Sequence, residues 1–116
     1  MNEFCLTLVN KQDKLFWKKT KLDEDNKLRC LQKEVEGKIE SITYLFPKLS
    51  MKNILVYINQ DSKLSNYPTT LIYCDRKNNF EEIKGNICFV KVTKKGDLTG
   101  LKDKDIELIY NSIRGV

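Results

Sequence analysis

The chain has 116 residues, of which 41% are hydrophobic and 32% are charged, and its formal net charge is +5. This length suits a single domain over residues 1–116 and excludes a second independent core, while the composition excludes a disordered chain. The positive charge favours an acidic partner such as nucleic acid, an anionic protein face or a membrane surface. Because AT-rich genomes also favour Lys, Asn and Ile codons, a functional basic patch and codon bias both stay open as explanations.

The cysteines and the absence of histidine restrict the metal chemistry. The four cysteines are Cys5, Cys30, Cys74 and Cys88, and no histidine is present. None of them forms a Cys-x-x-Cys pair, and three have apolar neighbours. We therefore expect largely buried free thiols in a reducing cytosol, with no metal and no cofactor.

Targeting signals are not evident in the sequence. The first nine residues lack the basic start and long apolar centre of a signal peptide. No apolar run approaches the roughly 18 residues that a membrane helix needs. The sequence predicts a soluble cytoplasmic protein with no membrane segment.

The first predicted element is a hairpin. Its arms are residues 4–9 and 15–22, separated by a polar turn. Alternation in the second arm places Trp17, Lys19 and Lys21 on one face, and Phe16, Lys18, Thr20 and Leu22 on the other. Since neither face is purely apolar, we expect an edge strand whose lysines discourage pairing with other chains.

A helix is predicted over about residues 24–36. Acidic residues 23–25 suit its positive N-terminus, and Gly37 is placed to end it. Its apolar stripe consists of Leu28, Leu31 and Val35. Glu34 lies outside this stripe and is expected to face solvent.

The middle of the chain predicts further strands. Residues 38–46 suggest a strand with a bulge that ends at Pro47, and residues 54–58 suggest a central strand. Residues 70–74 suggest another strand, and residues 75–82 are polar, with Asn78-Asn79 marking the tip of a turn.

The last third has the clearest pattern. Ile87–Val92 predicts a buried strand, Gly96 a tight turn before a short return strand, and residues 103–114 a closing helix. One face of this helix carries Ile106, Ile109, Tyr110 and Ile113. The sequence thus predicts an α+β fold: a mostly antiparallel sheet of about six short strands, with two helices most simply packed on one face.

Three segments carry a family resemblance. They are residues 31–40, 57–64 and 83–90, and they resemble a family of small domains of unknown function found in phages, plasmids and conjugative elements of low-GC Gram-positive bacteria. The resemblance implies an accessory protein of a mobile element and implies no activity. Proteins of this size and setting resemble inhibitors of host defence nucleases, including CRISPR effectors.

Catalytic motifs are not found in the sequence. Without histidine, the commonest general base is missing, and no phosphate loop or nucleophile elbow occurs. Acidic pairs occur at Asp23/Asp25, Glu81/Glu82 and Asp103/Asp105. Because each pair lies at a predicted helix start or loop, we expect capping and solvation rather than acid–base chemistry, and no enzyme.

Two kinds of partner remain. A host protein or ribonucleoprotein, with a defence nuclease as the target class, is the first expectation, through strand addition or the loop after residue 58. Nucleic acid is the alternative, because lysines and aromatic rings interleave along residues 14–21. The candidate partner-binding residues are Trp17, Lys18, Lys19, Lys21, Asn59, Asp61, Lys63 and Tyr67. For Trp17 the competing interpretation is a core anchor, and for Tyr67 it is packing within its own loop.

Overall fold

The computed structural model describes residues 3–63, 66–74, 77 and 79–114, and the described chain forms eight strands and three α-helices. In order these are β1 Phe4–Lys11, β2 Lys14–Lys21, α1 Lys27–Val35, β3 Ile39–Ser41, a 3₁₀ turn Thr43–Leu45, α2 Pro47–Ser50, β4 Ile54–Asn59, β5 Thr69–Cys74, β6 Phe80–Lys84, β7 Ile87–Val92, β8 Leu98–Thr99 and α3 Asp103–Arg114.

The strands form two sheets in which every pair is antiparallel. The larger sheet has six strands in the order β2-β1-β7-β4-β3, with β8 added to β7, and β5 pairs only with β6. The predicted α+β class and antiparallel sheet are therefore confirmed. The strand β2 lies at the end of the sheet, as predicted for the second arm of the hairpin.

The larger sheet is covered on both faces. Alternate residues of β1 and β7 enter two separate cores, because neighbouring side chains of a strand point to opposite faces. Leu6 and Phe89 pack with Ile109 of α3 on one face, whereas Cys88 packs with Leu31 of α1 on the other. The prediction that both helices pack on one face is therefore wrong. The reason is the continuous apolar run of β7, which is buried on both sides.

The predicted closing third is confirmed. Gly96 adopts a φ of +90° in the turn between β7 and β8, a conformation that side chains rarely adopt. Ile109 is fully buried, and the other three apolar residues of the predicted α3 face pack against the same core. The helix begins at Asp103, as predicted.

The first helix differs from the prediction at its start. It begins at Lys27, and the side chain of Asn26 caps it by accepting a hydrogen bond from the Arg29 backbone N–H at 3.0 Å. The acidic residues 23–25 precede this cap and do not lie in the first turn. Leu28 is exposed because it lies in that first turn, beyond the sheet, whereas Leu31 is fully buried.

Two middle elements were predicted wrongly. The strand expected over residues 38–46 ends at Ser41, and Pro47 occupies the first turn of α2, where the missing N–H of proline costs nothing. The turn was expected at Asn78-Asn79, of which Asn78 lies outside the described residues, and the strand β6, which begins at Phe80, was not predicted. Glu81 and Ile83 alternate with outward-facing Phe80 and Glu82, so the polar composition obscured a strand.

Glu3, which precedes β1, connects the start of this strand to β8 and α1. Its carboxylate accepts hydrogen bonds from the Thr99 hydroxyl at 2.5 Å and the Gly100 N–H at 3.0 Å, and it pairs with the Lys27 ammonium at 3.0 Å. The Thr99 hydroxyl, followed by Lys27 and the Gly100 amide, lowers the pKa of Glu3 to about 2. This contact ties together segments that are far apart in sequence.

Within the described residues, the longest helix has 12 residues, and no helix is long and apolar enough to cross a bilayer.

Candidate interaction face along β2 and α1

A concave surface lies between the edge strand β2 and helix α1. This cleft has a volume of about 830 Å³. Its lining is rich in charged side chains and consists of Lys18, Thr20, Lys21, Asp23, Arg29, Cys30, Gln32, Lys33, Glu34, Glu36 and Gly37. The cleft exists because α1 packs mainly on β4 and β7 and leaves the outermost strand β2 uncovered.

A second hollow continues the cleft beyond the end of α1. It measures about 290 Å³ and shares Lys18, Lys33, Glu34 and Glu36 with the first. Lys11 and the exposed ring of Phe16 complete its basic and aromatic lining. We call the two hollows and the free edge of β2 the β2–α1 face.

The β2–α1 face contains a buried carboxylate, that of Glu34. Glu34 is only 5% exposed, although the helical pattern predicted it in solvent. Its Oε1 accepts hydrogen bonds from the hydroxyls of Thr7 at 3.0 Å and Thr20 at 2.6 Å, and its Oε2 pairs with Lys18 Nζ at 3.2 Å. The contacts satisfy a charge that burial would otherwise make costly. Glu34 thus attaches α1 to the hairpin.

No local pattern in the sequence predicts this network. Thr7 lies 27 residues from Glu34, and Thr20 lies 14 residues from it. Both hydroxyls reach the carboxylate because Cys5 pairs with Thr20 and Thr7 pairs with Lys18 across the hairpin. Arg29 and Lys33 were likewise missed, since they become part of the face only when α1 lies beside β2.

The candidate Trp17 belongs to the core. Its ring centroid lies 5.0 Å from that of Tyr110 and 5.9 Å from that of Phe89, on the face of the sheet opposite α1. These distances and tilted geometries are typical of favourable aromatic packing. The core-anchor interpretation of Trp17 is therefore confirmed.

The three candidate lysines of β2 lie on both sides of the edge. Lys18 points toward α1 and keeps 52% of its side chain exposed while pairing with Glu34. Lys19 places its Nζ 4.6 Å from the centroid of the Phe4 ring, on the other face. Lys21 is exposed, and its carbonyl accepts a hydrogen bond from the Cys30 thiol at 3.7 Å. The lysines form a basic rim around the strand.

The candidates of the second segment have internal contacts. Asn59 is 4% exposed, and its Nδ2 donates to the carbonyls of Val35 and Glu36, each at 3.1 Å. It therefore caps the end of α1, and its Oδ1 accepts the Asp61 backbone N–H at 2.8 Å. The structure does not join this segment to the β2 lysines, because β4 is separated from β2 by two strands.

The remaining two candidates, Lys63 and Tyr67, contact β6 and the turn that follows it. Lys63 pairs with Glu81 of β6 at 3.5 Å, and both side chains are partly exposed. Tyr67 is half-buried beside Gly85, and its hydroxyl accepts a hydrogen bond from Asn59 Nδ2 at 3.4 Å. Tyr67 therefore packs beside Gly85, which lies outside its own loop, and its role in binding a partner stays a prediction.

Two free thiols, Cys5 and Cys88, lie beneath α1, and a third, Cys30, lies on α1 itself. Cys5 and Cys88 are fully buried, and Cys30 is half-buried at the cleft wall. A hydrogen bond with Cys88, followed by burial, raises the pKa of the Cys5 thiol, and burial raises that of Cys30. Such protonated thiols are poor nucleophiles. Among the described residues, no three side chains of the metal-binding types converge on one point.

Asp105, the second residue of the acidic pair at the start of α3, has the predicted capping role. Asp105 is 7% exposed and accepts the Lys102 backbone N–H at 2.8 Å. Its two oxygens also lie 3.2 Å from Lys91 Nζ. The carboxylate thereby satisfies the free helix N-terminus and pairs with β7.

These features define a small antiparallel α+β domain with a lysine-rimmed edge strand and an adjoining cleft of mixed charge. The sequence matches the family DUF3846, a domain of unknown function, over residues 7–114, and the chain belongs to this family. The expected membership in a family of unknown function is thereby confirmed. No curated protein and no solved structure matches the chain.

Proposed function

We propose that this chain is a non-enzymatic binding protein that docks on another protein through the β2–α1 face. The observation that carries the proposal is the regular, exposed edge strand β2. Its eight residues pair continuously with β1, and among the described residues no strand pairs with its other side. Such an edge presents unpaired backbone donors and acceptors that an incoming strand can use.

The mixed charge of the cleft supports a protein partner. Arg29 and Lys33 project from α1, while Asp23 and Glu36 supply negative charge at the two ends of the lining. A protein partner can match both signs, whereas a phosphate backbone is attracted only by the cations.

The biological setting follows from the family resemblance. We propose an accessory protein of a mobile element, such as a phage or plasmid, acting stoichiometrically in the host cytoplasm. The target would be a host protein or ribonucleoprotein, with a defence nuclease such as a CRISPR effector as the target class. The resemblance in size and setting supports this choice of target.

Site-specific photo-crosslinking tests the docking face. A photoreactive amino acid replaces Lys14 or Lys21 on β2, and a matched control replaces Met51, which is 81% exposed after α2. In extracts of a host, the β2 positions should give a discrete protein adduct that excess untagged chain competes away. The Met51 position should not give it. Identical adducts from all positions, or none that competes, would refute docking through this face.

Binding of single-stranded nucleic acid is the second candidate. It is favoured by the exposed ring of Phe16, which is 46% exposed and shares the second hollow with Lys11, Lys18 and Lys33. An exposed ring beside ammonium groups suits base stacking with phosphate contacts. The burial of Trp17 weakens this candidate, since one of the two rings expected on the strand packs in the core.

Salt dependence separates the two candidates. If phosphates dominate, the affinity for a 12-nucleotide single strand should fall steeply between 50 and 200 mM salt. Replacing Lys18 and Lys19 by alanine should then reduce the logarithmic salt slope by about 1.4, or 0.7 per lost phosphate contact. Fluorescence anisotropy measures both quantities. No detectable binding at the lower salt concentration would eliminate the nucleic-acid candidate.

A further inference from the structure

We propose that the occupant of the β2 edge is an extended acidic segment of a different protein, added to the sheet as a further strand. A second copy of this chain is not the occupant. The inference rests on the proposed function above, and it specifies the chemistry of the partner.

The backbone of β2 is suited to strand addition. All eight residues from Lys14 to Lys21 are paired with β1 in one continuous register, from Lys11↔Lys14 to Phe4↔Lys21, without a bulge. Eight residues at about 3.3 Å each give an edge roughly 26 Å long. Alternate residues of an antiparallel strand direct their N–H and C=O groups to one side. An edge of this length can therefore form a series of backbone hydrogen bonds with a partner strand.

The side chains of β2 select the charge of that partner. Four of its eight residues are lysines, and none is acidic. Lys14 and Lys18 lie on the face toward α1, whereas Lys19 and Lys21 lie on the opposite face, because alternate residues point to opposite sides. Acidic residues at successive positions of an added strand would therefore meet a lysine on either face.

The contact of Lys18 with Glu34 leaves the edge of β2 basic. Glu34 pairs with Lys18 from the side of α1, yet 52% of the Lys18 side chain stays exposed. The other three lysines are exposed, and Lys11 and Lys33 extend the positive rim at the hairpin end. A negative segment can therefore be accommodated without breaking the network around Glu34.

The same lysines oppose pairing between two copies. In a two-fold antiparallel arrangement centred on Lys18, the two copies of Lys18 lie directly opposite each other, because opposite residues of an antiparallel pair point to the same face. A parallel arrangement in register brings each lysine next to its own counterpart. Like charges directly opposite each other destabilise strand pairing. The lysines thus act against self-association and in favour of an acidic partner.

Peptide selection provides the test. The probe is a display library of random ten-residue peptides, selected against the full chain at low and moderate salt. The enriched peptides should contain more Asp and Glu than the input, together with β-branched residues. Lys14→Gln and Lys21→Gln should each weaken their binding about two- to five-fold, which corresponds to the usual range for a cross-strand charge pair. The matched variant Lys52→Gln, on the exposed turn after α2, should leave binding unchanged.

Backbone methylation tests the geometry independently of charge. A strand added to one edge directs only every second amide toward β2. N-methylation of one alternate set of amides in a selected peptide should therefore abolish binding, whereas methylation of the other set should be tolerated. Equal effects of the two sets would overturn strand addition, because simple charge attraction does not distinguish them.

The other outcomes are equally decisive. Enriched peptides that lack acidic residues would overturn the acidic partner, while the proposed protein-binding function would stand if β2 crosslinks are still found. No enriched peptide, or an oligonucleotide that binds where the peptides do not, would overturn the inference. Sedimentation showing a dimer that the peptides dissociate would place a second copy at this edge and overturn it as well. Loss of the competed crosslinks would instead remove the proposed function itself.

Discussion

Replacing Glu34 by alanine should lower the free energy of unfolding by about 2 to 4 kcal/mol. The Thr7 hydroxyl is fully buried and would lose its acceptor, which costs about 1 to 3 kcal/mol. The half-buried Thr20 hydroxyl adds about 1 kcal/mol, and the ion pair with half-exposed Lys18 adds at most about 1 kcal/mol. Relief of the carboxylate's own desolvation offsets part of this sum.

Glutamine at position 34 separates the hydrogen bonds from the charge. Its amide oxygen can still accept from both threonine hydroxyls, so Glu34→Gln should cost only about 1 kcal/mol. Lys33→Ala, at an exposed position one residue earlier on α1, should change stability by less than about 0.5 kcal/mol. The three variants lie in one helix, so differences in helix propensity are small compared with the predicted differences in the free energy of unfolding.

Urea denaturation followed by the fluorescence of the single tryptophan provides the assay. Trp17 packs against Phe89 and Tyr110, so its emission should report loss of the core. A double-mutant cycle between Glu34→Gln and Thr20→Val should then give a coupling energy above about 0.5 kcal/mol. If Glu34→Ala were as stable as Lys33→Ala, the carboxylate would not attach α1 to the hairpin.

Four further substitutions test other contacts. The Glu3 carboxyl has a pKa of about 2 in the folded chain against an ordinary value of 4.5, so its contribution is present above pH 4.5 and lost as the pH falls toward 2. Glu3→Gln should therefore cost about 1 to 2 kcal/mol at pH 7, after allowance for solvent screening, and almost nothing at pH 2, as urea titrations across this range would show. Gly37→Ala would place a Cβ 2.7 Å from Asn59 Nδ2, and it should cost about 1 to 2 kcal/mol in thermal unfolding; an unchanged Tm would show that the amide moves freely. Trp17→Ala should cost about 2 to 4 kcal/mol while Phe16→Ala costs less than about 0.5 kcal/mol, and similar losses in denaturation would contradict the assignment of their faces.

The parts of the fold that the sequence predicted are those with local periodicity. The strand Ile87–Val92, the turn at Gly96 and the helix from Asp103 each have a pattern that is complete within a few residues. The strand β6 was missed because its outward positions are polar or unusually exposed, such as Glu82 and Phe80. The local composition there reflects the residues that face solvent. Whether the segment forms a strand depends instead on its pairing with β5.

The candidate face shows a similar division. The edge position of β2 was predictable, since the mixed faces around Lys18 and Lys19 are typical of an unpaired border. The burial of Glu34 was not, because its stabilising hydroxyls come from two other elements. A carboxylate beside an apolar helical stripe has the same local pattern whether it faces solvent or a pair of threonines. Only the docking of α1 on the hairpin distinguishes the two environments.

The two roles of the lysines on β2 lead to opposite expectations for their removal. If they serve only to prevent edge pairing, replacing Lys14 and Lys21 by valine should produce dimers or aggregates and leave no binding function to lose. If they also recognise an acidic strand, the neutral variant Lys14→Gln should weaken binding while the chain stays monomeric. Valine changes both charge and β-propensity, whereas glutamine changes mainly charge, so the comparison separates protection of the edge from recognition by it.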